Sequence, residues 1–257
     1  MKLILCEGIL GVIVFFTGAC IFSFLNVIIY RVPRKMSFVK GFSMCPACGH
    51  RLGPGDLIPI FSYVLLRGRC RYCKASIGSR DTWIELLGGI AALFCIIKYE
   101  RIETALTVFA FFSVLTVVTF LDIDTMEIED GCWIAILILS VISLSAMGGI
   151  TLMDRAIGFL CVSLPMLVLA LVIPGAFGGG DIKLMAACGV FLGWRLTLVS
   201  TVLAILGGGI YGIWLMAAKK AGRKEKFAFG PFLCGGMAAG LLWGEQLLNW
   251  YLGTMFG

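Results

Sequence analysis

The sequence has little charge. Only 14% of its 257 residues are Asp, Glu, Lys or Arg, whereas 60% are hydrophobic and the mean hydropathy is +1.01. A soluble globular domain carries about 25% charged residues, so this composition excludes that class and predicts an integral membrane protein. In a membrane protein the excess of Lys and Arg behind the net charge of +6 indicates mainly which loops face the cytoplasm. We therefore expect no nucleic acid partner.

Two processing signals are also missing at the start of the chain. The apolar stretch after Lys2 runs for about 20 residues without a small-residue cleavage site, which predicts a retained first span instead of a removed secretion signal. The hydrophobic run follows Cys6 instead of preceding it, which argues against a lipoprotein signal.

Apolar runs of roughly 16 to 24 residues predict seven spans, and a shorter run at 182–194 gives an eighth. The seven are 8–30, 83–98, 104–121, 131–148, 156–173, 197–218 and 229–252. If 182–194 also spans, the connections on one side hold 16 of the 21 Lys and Arg, including Lys219, Lys220, Arg223, Lys224 and Lys226. A re-entrant 182–194 would place that basic run outside, against the positive-inside rule.

The predicted fold is therefore an all-α polytopic membrane protein with about eight transmembrane helices and both termini outside. We divide it into a first transmembrane helix (1–30), a cytoplasmic four-cysteine zinc domain (31–82) and a transmembrane core of about seven helices (83–257).

Four of the 11 cysteines form two C-x-x-C pairs, Cys45 with Cys48 and Cys70 with Cys73, with 21 residues between the pairs. Two such pairs predict a tetrahedral zinc site, because each pair offers two thiolates from one tight turn. A thiol redox site is the alternative. His50, the single histidine, is expected to be exposed or to lie behind the ligands, since four cysteines already close the site.

Carboxylates cluster in two short segments that are predicted on the same side of the membrane. These hold six of the 15 acidic residues: Asp122, Asp124, Glu127, Glu129, Asp130 and Asp181. Ionisable groups at a membrane boundary suggest function because burying them is costly. Asp122 and Asp181 are best placed to meet, and two carboxylates that share one proton can activate a water molecule. Asp124 is the nearest rival to Asp122.

The residues resemble a known family. "GGGDIKLM" (178–185) is similar to the second catalytic motif of type IV prepilin leader peptidases, and "LDIDTMEIED" (121–130) resembles the first. That register places the catalytic carboxylate at Asp122, eight residues before Asp130, while Glu129 replaces a family proline. The cysteine loop, "SFLNVIIYRVP" (23–33) and "IELLGG" (84–89) resemble further parts of the longer bacterial members.

The resemblance implies a bifunctional enzyme of the bacterial inner membrane with its active site on the cytoplasmic side. It would cleave the basic leader of type IV pilin or type II secretion pseudopilin precursors after a glycine. It would then N-methylate the new N-terminus with S-adenosylmethionine. The family associates methylation with the N-terminal cytoplasmic region, which makes Glu85 and the cysteine domain candidates. No glycine-rich nucleotide-binding fingerprint is present, so the residues alone do not suggest this donor.

The expected partners are the precursor substrate, whose basic leader the acids of 122–130 would attract, and membrane lipid. Three alternatives stay open: a peptidase without methyl transfer, a transporter or channel that uses buried acids as relays, and a membrane thiol oxidoreductase built on the C-x-x-C pairs.

Overall fold

A computed structural model describes residues 2–218 and 227–256, with side chains for 8–218 and 227–255. These residues form α-helices joined by turns, with only isolated β-bridges. The helices are α1 (Lys2–Arg31), α2 (Phe61–Leu65), α3 (Arg80–Lys98), α4 (Ile102–Thr125), α5 (Asp130–Ala146), α6 (Leu152–Cys161), α7 (Ser163–Val172), α8 (Gly179–Ala217) and α9 (Gly230–Phe256). The chain divides into two compact units, Met1–Phe109 and Ala110–Gly257.

The helices confirm the all-α prediction and the count of eight predicted spans in the described part of the chain. Helices α1, α3, α4, α5 and α9 each cover one predicted span, α6 and α7 share one, and α8 covers two. Four segments are long and apolar enough to cross a bilayer by length and composition: Gly8–Arg31, Ile102–Thr125, Leu152–Val172 and Gly179–Ala217. The basic run at Lys219, Lys220, Arg223, Lys224 and Lys226 lies outside the described residues, so its predicted side stays a prediction.

The predicted span 156–173 is interrupted at Val162, which separates α6 from α7 with φ −112° and ψ −41°. Pro165 lies three residues further on and has no N–H to donate to the carbonyl of Cys161. A proline in the first turn of a helix is tolerated, whereas one in the interior breaks it. The chain therefore restarts a helix at Ser163.

Helix α8 is also broken, at Gly193, where φ is 74° and ψ is 166°. Only glycine adopts that conformation without strain. The first half, 179–192, has 14 residues and reaches only about 21 Å, against a hydrocarbon core of about 30 Å. The break keeps this half short.

Arg155 occupies the break from the neighbouring helix α6. Its side chain is buried (3% exposed), and its Nη1 donates to the carbonyl of Val190 at 2.9 Å and to Ser143 Oγ at 2.8 Å. The last carbonyls of a helix have no partner within that helix. Arg155 therefore caps the first half of α8 and ties it to α5.

Helix α8 also contacts α6 through two glycines. A Cβ atom at Gly189 would lie 2.0 Å from the carbonyl oxygen of Gly158, and one at Gly158 would lie 2.3 Å from the oxygen of Gly189. Small residues allow backbones to approach this closely in a membrane, where van der Waals packing drives helix association.

Replacing Gly189 with alanine should destabilise the second unit by about 1–3 kcal/mol, the usual range for an overpacked interior. The melting temperature of the purified protein in detergent, followed by circular dichroism, measures this. Gly235→Ala is the matched control, because a Cβ at Gly235 in α9 meets no atom within 4 Å. Equal melting temperatures for the two variants would contradict the packing argument.

Candidate active site

Asp122 is a buried carboxylate, only 6% exposed, in the last turn of α4. Its Oδ2 accepts a hydrogen bond of 2.7 Å from the backbone N–H of Gly230, which opens α9. The first N–H groups of a helix lack intrahelical partners and carry a partial positive charge. The start of α9 therefore satisfies and orients this carboxylate.

Asp181 lies in the first turn of α8 and is half-buried. Its Oδ2 accepts a hydrogen bond of 3.3 Å from the backbone N–H of Gly178, the residue that caps the helix. This second carboxylate thus also lies at the positive end of a helix.

The structure places the end of α4 beside the start of α9, through the bond between Gly230 and Asp122, and the loop after α4 beside the start of α8. The end of α4 and the starts of α8 and α9 therefore converge on one acidic centre. Asp124, the rival candidate, is exposed. The loop between α4 and α5 packs against the start of α8, since a Cβ at Gly180 would come within 2.9 Å of Ile128 Cβ.

Asp130 is engaged by its neighbours. Lys183 Nζ and Trp133 Nε1 each donate to its Oδ1 at 2.7 Å, and the ammonium group also lies 5.6 Å from the Trp133 ring centre. All three residues lie in the second unit, where this ion pair connects α5 to the first turns of α8. Glu127 and Glu129 remain exposed.

Glu129 caps the start of α5 with φ −64° and ψ 139°. Proline fixes φ at about −65°, so Glu129 holds the backbone angle that a proline in this position would impose. The replacement of the family proline is therefore compatible with the loop shape.

The four cysteines of the two C-x-x-C pairs form one cluster. Sulfur atoms of Cys45, Cys48, Cys70 and Cys73 all lie within 4.8 Å of one another, and Cys45 Sγ is 3.9 Å from Cys73 Sγ. Tetrahedral zinc with Zn–S bonds of about 2.3 Å requires S···S distances of about 3.8 Å. The cluster is therefore compatible with structural zinc.

Each cysteine pair occupies an equivalent turn. The N–H of Cys45 donates to the carbonyl of His50, and the N–H of Cys70 donates to that of Ala75, both at 2.9 Å. The residue after each pair, Gly49 or Lys74, has positive φ. This repetition explains how two short stretches present four thiols to one point.

The backbone around Cys45 stabilises the thiolate form of that side chain. Hydrogen bonds from the backbone N–H groups of Cys48 and Ala47 lower the pKa of Cys45 to about 7, and the thiolate is the form that binds metal. His50 is exposed and contacts Tyr72, with ring centres 3.6 Å apart and ring planes tilted by 34°, and it is not part of the sulfur cluster.

A buried carboxylate braces the second turn. Asp56 Oδ1 accepts from Arg71 Nε at 2.6 Å, and this hydrogen bond holds the pKa of Asp56 below its usual range. Tyr72 donates to the other oxygen of Asp56 at 3.3 Å. The segment between the pairs is thereby attached to the second pair.

Sequence reasoning missed Gly230 and Arg155. Gly230 donates a hydrogen bond to Asp122, 108 positions earlier in the chain, and no local sequence pattern predicts such a pair. In the sequence Arg155 immediately precedes the predicted span 156–173, a position typical of a loop charge. A lone arginine at the edge of an apolar run, with Ser140 and Ser143 in the preceding span, was the available signal.

Comparisons with protein families agree with this arrangement. The Bacterial Peptidase A24 N-terminal domain matches residues 16–99, which include all four clustered cysteines. The Type IV leader peptidase family matches residues 109–213, which include Asp122 and Asp181.

Curated relatives extend the similarity over almost the whole chain. The prepilin leader peptidase/N-methyltransferase of Aeromonas salmonicida (strain A449) is 29% identical over 273 residues, covering 95% of this chain and 94% of the relative. The protein of that name from Bacillus subtilis (strain 168) is 29% identical over 253 residues, covering 95% and 99%. The one from Myxococcus xanthus (strain DK1622) is 34% identical over 224 residues, covering 84% and 66%.

No solved structure matches the chain. The two family matches together run through both compact units and contain the carboxylates and the cysteines. The chain therefore belongs to the type IV leader peptidase family.

Proposed function

We propose that this chain is a bifunctional prepilin peptidase. It cleaves the basic leader of type IV pilin or type II secretion pseudopilin precursors after a glycine, using Asp122 and Asp181 as an aspartate dyad. It then N-methylates the new N-terminus with S-adenosylmethionine. The observation that carries the peptidase assignment is the convergence of three helix ends that hold a buried carboxylate, Asp122, and a half-buried one, Asp181.

The dyad chemistry needs one shared proton and one water molecule. The ionised carboxylate removes a proton from the water, whose oxygen attacks the scissile carbonyl carbon, while the other carboxyl group donates its proton to the carbonyl oxygen. Collapse of the resulting diol breaks the C–N bond: the departing amine takes the proton that the first carboxylate removed from the water, and a diol hydroxyl returns its proton to the second carboxylate. Backbone bonds from Gly230 and Gly178 hold one oxygen of each carboxylate, which leaves the other for water and substrate.

Charge in the second unit suits a basic leader. Glu127 and Glu129 are exposed, whereas Asp130 already pairs with Lys183. The two exposed glutamates would therefore attract the leader over longer range. We place this acidic face and the cysteine domain in the cytoplasm and both termini outside, because that orientation keeps most Lys and Arg inside. The division at 1–30, 31–82 and 83–257 stays a prediction.

Methyl transfer is supported by the names of the relatives, which join N-methyltransferase to prepilin leader peptidase. Glu85 and the cysteine domain both lie in the first unit and remain the candidate residues. Zinc would hold the two cysteine turns together and would take no part in cleavage.

Two other functions fit less well. A transporter would be expected to carry charges at mid-depth in several spans, whereas Asp122 and Asp181 lie at helix ends. An oxidoreductase would use the cysteine pairs as separate dithiols, whereas their four sulfurs share one cluster.

Asp122→Asn and Asp181→Asn should each lower prepilin cleavage by at least about 100-fold, the lower range for losing a general acid or base. An asparagine oxygen can still accept the bond from Gly230 or Gly178, so each variant should fold and insert normally. Gel assays of cleavage in proteoliposomes, with melting temperature as the folding check, test this. Asp124→Asn is the matched control and should cleave normally; wild-type rates in either dyad variant would remove that residue from the dyad.

Pilin processed by the wild-type protein with S-adenosylmethionine should carry one added methyl group at its N-terminus. Intact-mass analysis after cleavage measures this, and the same reaction without the donor is the control. Cleaved but unmethylated product in both reactions would favour a peptidase that lacks methyl transfer.

Changing Cys45 and Cys70 to serine should remove most bound zinc and destabilise the cysteine domain, because metal binding and folding are coupled in such small sites. Cleavage should survive in part, since the carboxylates lie in the other unit. Elemental analysis of purified protein gives the zinc content, expected near one ion per chain in the wild type. Cys20→Ser is the control, and full zinc occupancy in the double variant would contradict the four-cysteine site.

A further inference from the structure

An uncharged apolar segment separates the two cysteine pairs. Residues 57–66 read "LIPIFSYVLL" and lie between Asp56 and Arg67. Several of their large apolar side chains are exposed to solvent: Val64 is 64% exposed and Leu65 is 73% exposed. The other exposed members are Leu57, Ile58 and Phe61. A contiguous apolar patch of this kind on a water-surrounded domain would mark an interaction surface.

A hydrogen bond ties the start of this segment to the side of α3. The backbone N–H of Ile60 donates to Glu85 Oε2 at 2.8 Å. Glu85 lies five residues inside α3 from Arg80, about 7.5 Å along the helix axis. Ile60 has φ 63°, a conformation that a β-branched residue rarely adopts, and the Glu85 bond holds it in place.

A second contact lies deeper. The ring of Phe61 is 6.1 Å from the ring of Phe16, centre to centre. Phe16 lies in the interior of the candidate span Gly8–Arg31. An aromatic side chain of the segment therefore packs on the side of a membrane-spanning helix, away from that helix's end.

Basic side chains follow the apolar segment. Arg67, Arg69 and Lys74 line a surface pocket together with Leu66 and Cys70, and no acidic residue lines it. Lysine and arginine near a membrane surface attract the anionic phospholipids of the cytoplasmic leaflet. Apolar side chains beside a basic rim are typical of a segment that lies within the membrane interface.

We infer that residues 57–66 form a re-entrant segment inserted into the cytoplasmic leaflet. Val64 and Leu65 face lipid acyl chains, and Arg67, Arg69 and Lys74 bind phospholipid phosphate groups. The cysteine domain is thus anchored in the bilayer at a third place, between α1 and α3. Only protein-lined positions tolerate non-helical backbone at membrane depth, and the contacts with Phe16 and Glu85 supply that lining.

The apolar helix of a prepilin is the other occupant to consider. Under the proposed function that helix follows a basic leader, which the basic rim of this pocket would repel. Phospholipid has the opposite charge. Charge complementarity therefore favours lipid.

Photo-crosslinking tests the inference on the full chain. We would replace Leu65 with p-benzoylphenylalanine, reconstitute the protein in vesicles of phosphatidylethanolamine and phosphatidylglycerol, irradiate, and measure lipid adducts by intact mass. The matched control is the same replacement of Met44, which is 60% exposed on the first cysteine turn. Zinc content confirms that both proteins are folded.

Position 65 should give at least severalfold more lipid adduct than position 44, and added prepilin should leave the yield unchanged. Equal yields at the two positions, or transfer of the crosslink from lipid to prepilin, would overturn the inference. Phosphatidylglycerol should be enriched among the adducts relative to its share of the vesicle. The triple variant Arg67→Gln, Arg69→Gln, Lys74→Gln should abolish that enrichment; enrichment that persists in it would overturn the role of the basic rim.

Discussion

Burial of the Asp122 carboxylate is the constraint on which the second unit depends. An ionised carboxylate away from water is costly unless hydrogen bonds and favourable dipoles compensate. The N–H of Gly230 supplies the bond at 2.7 Å, and the start of α9 supplies the dipole. A Cβ at Gly230 would lie 2.6 Å from Asp122 Oδ2, so only glycine permits the contact. The end of α4 and the start of α9 are consequently fixed together.

The other carboxylate is positioned from both ends of a short helix. Asp181 starts the first half of α8, which ends at the break of Gly193, where Arg155 bonds the free carbonyl of Val190. A longer helix would move Asp181 along the axis by about 1.5 Å per added residue. The proposed dyad would tolerate little such displacement, because reacting groups must lie within hydrogen-bonding reach. Arg155, which is buried at the other end of this half-helix, therefore helps to set the position of Asp181 along the helix axis.

Local patterns predicted the features that depend on neighbouring residues. The cysteine cluster follows from two C-x-x-C turns, and the spans follow from apolar length. Asp122 and Asp181 were paired through two short motifs. Contacts between distant positions left no such pattern: Gly230 with Asp122, or Phe61 with Phe16. The ten-residue run at 57–66 is too short to predict a span, so only the structure shows that it contacts α1 through Phe16 and α3 through Glu85.

In the loop between α4 and α5, the position before Asp130 requires a particular backbone angle but no particular reactive side chain. A proline before the second aspartate, as the resemblance to the family implies, would fix φ; Glu129 reaches the same angle, −64°, as the cap of α5. The neighbouring constraints are Met126, with φ 55°, and Ile128, packed on Gly180. Because these contacts already set the path of the chain, the ring of a proline adds rigidity without adding a reactive group. A glutamate can therefore occupy the position, and its exposed carboxylate adds negative charge to the loop between α4 and α5.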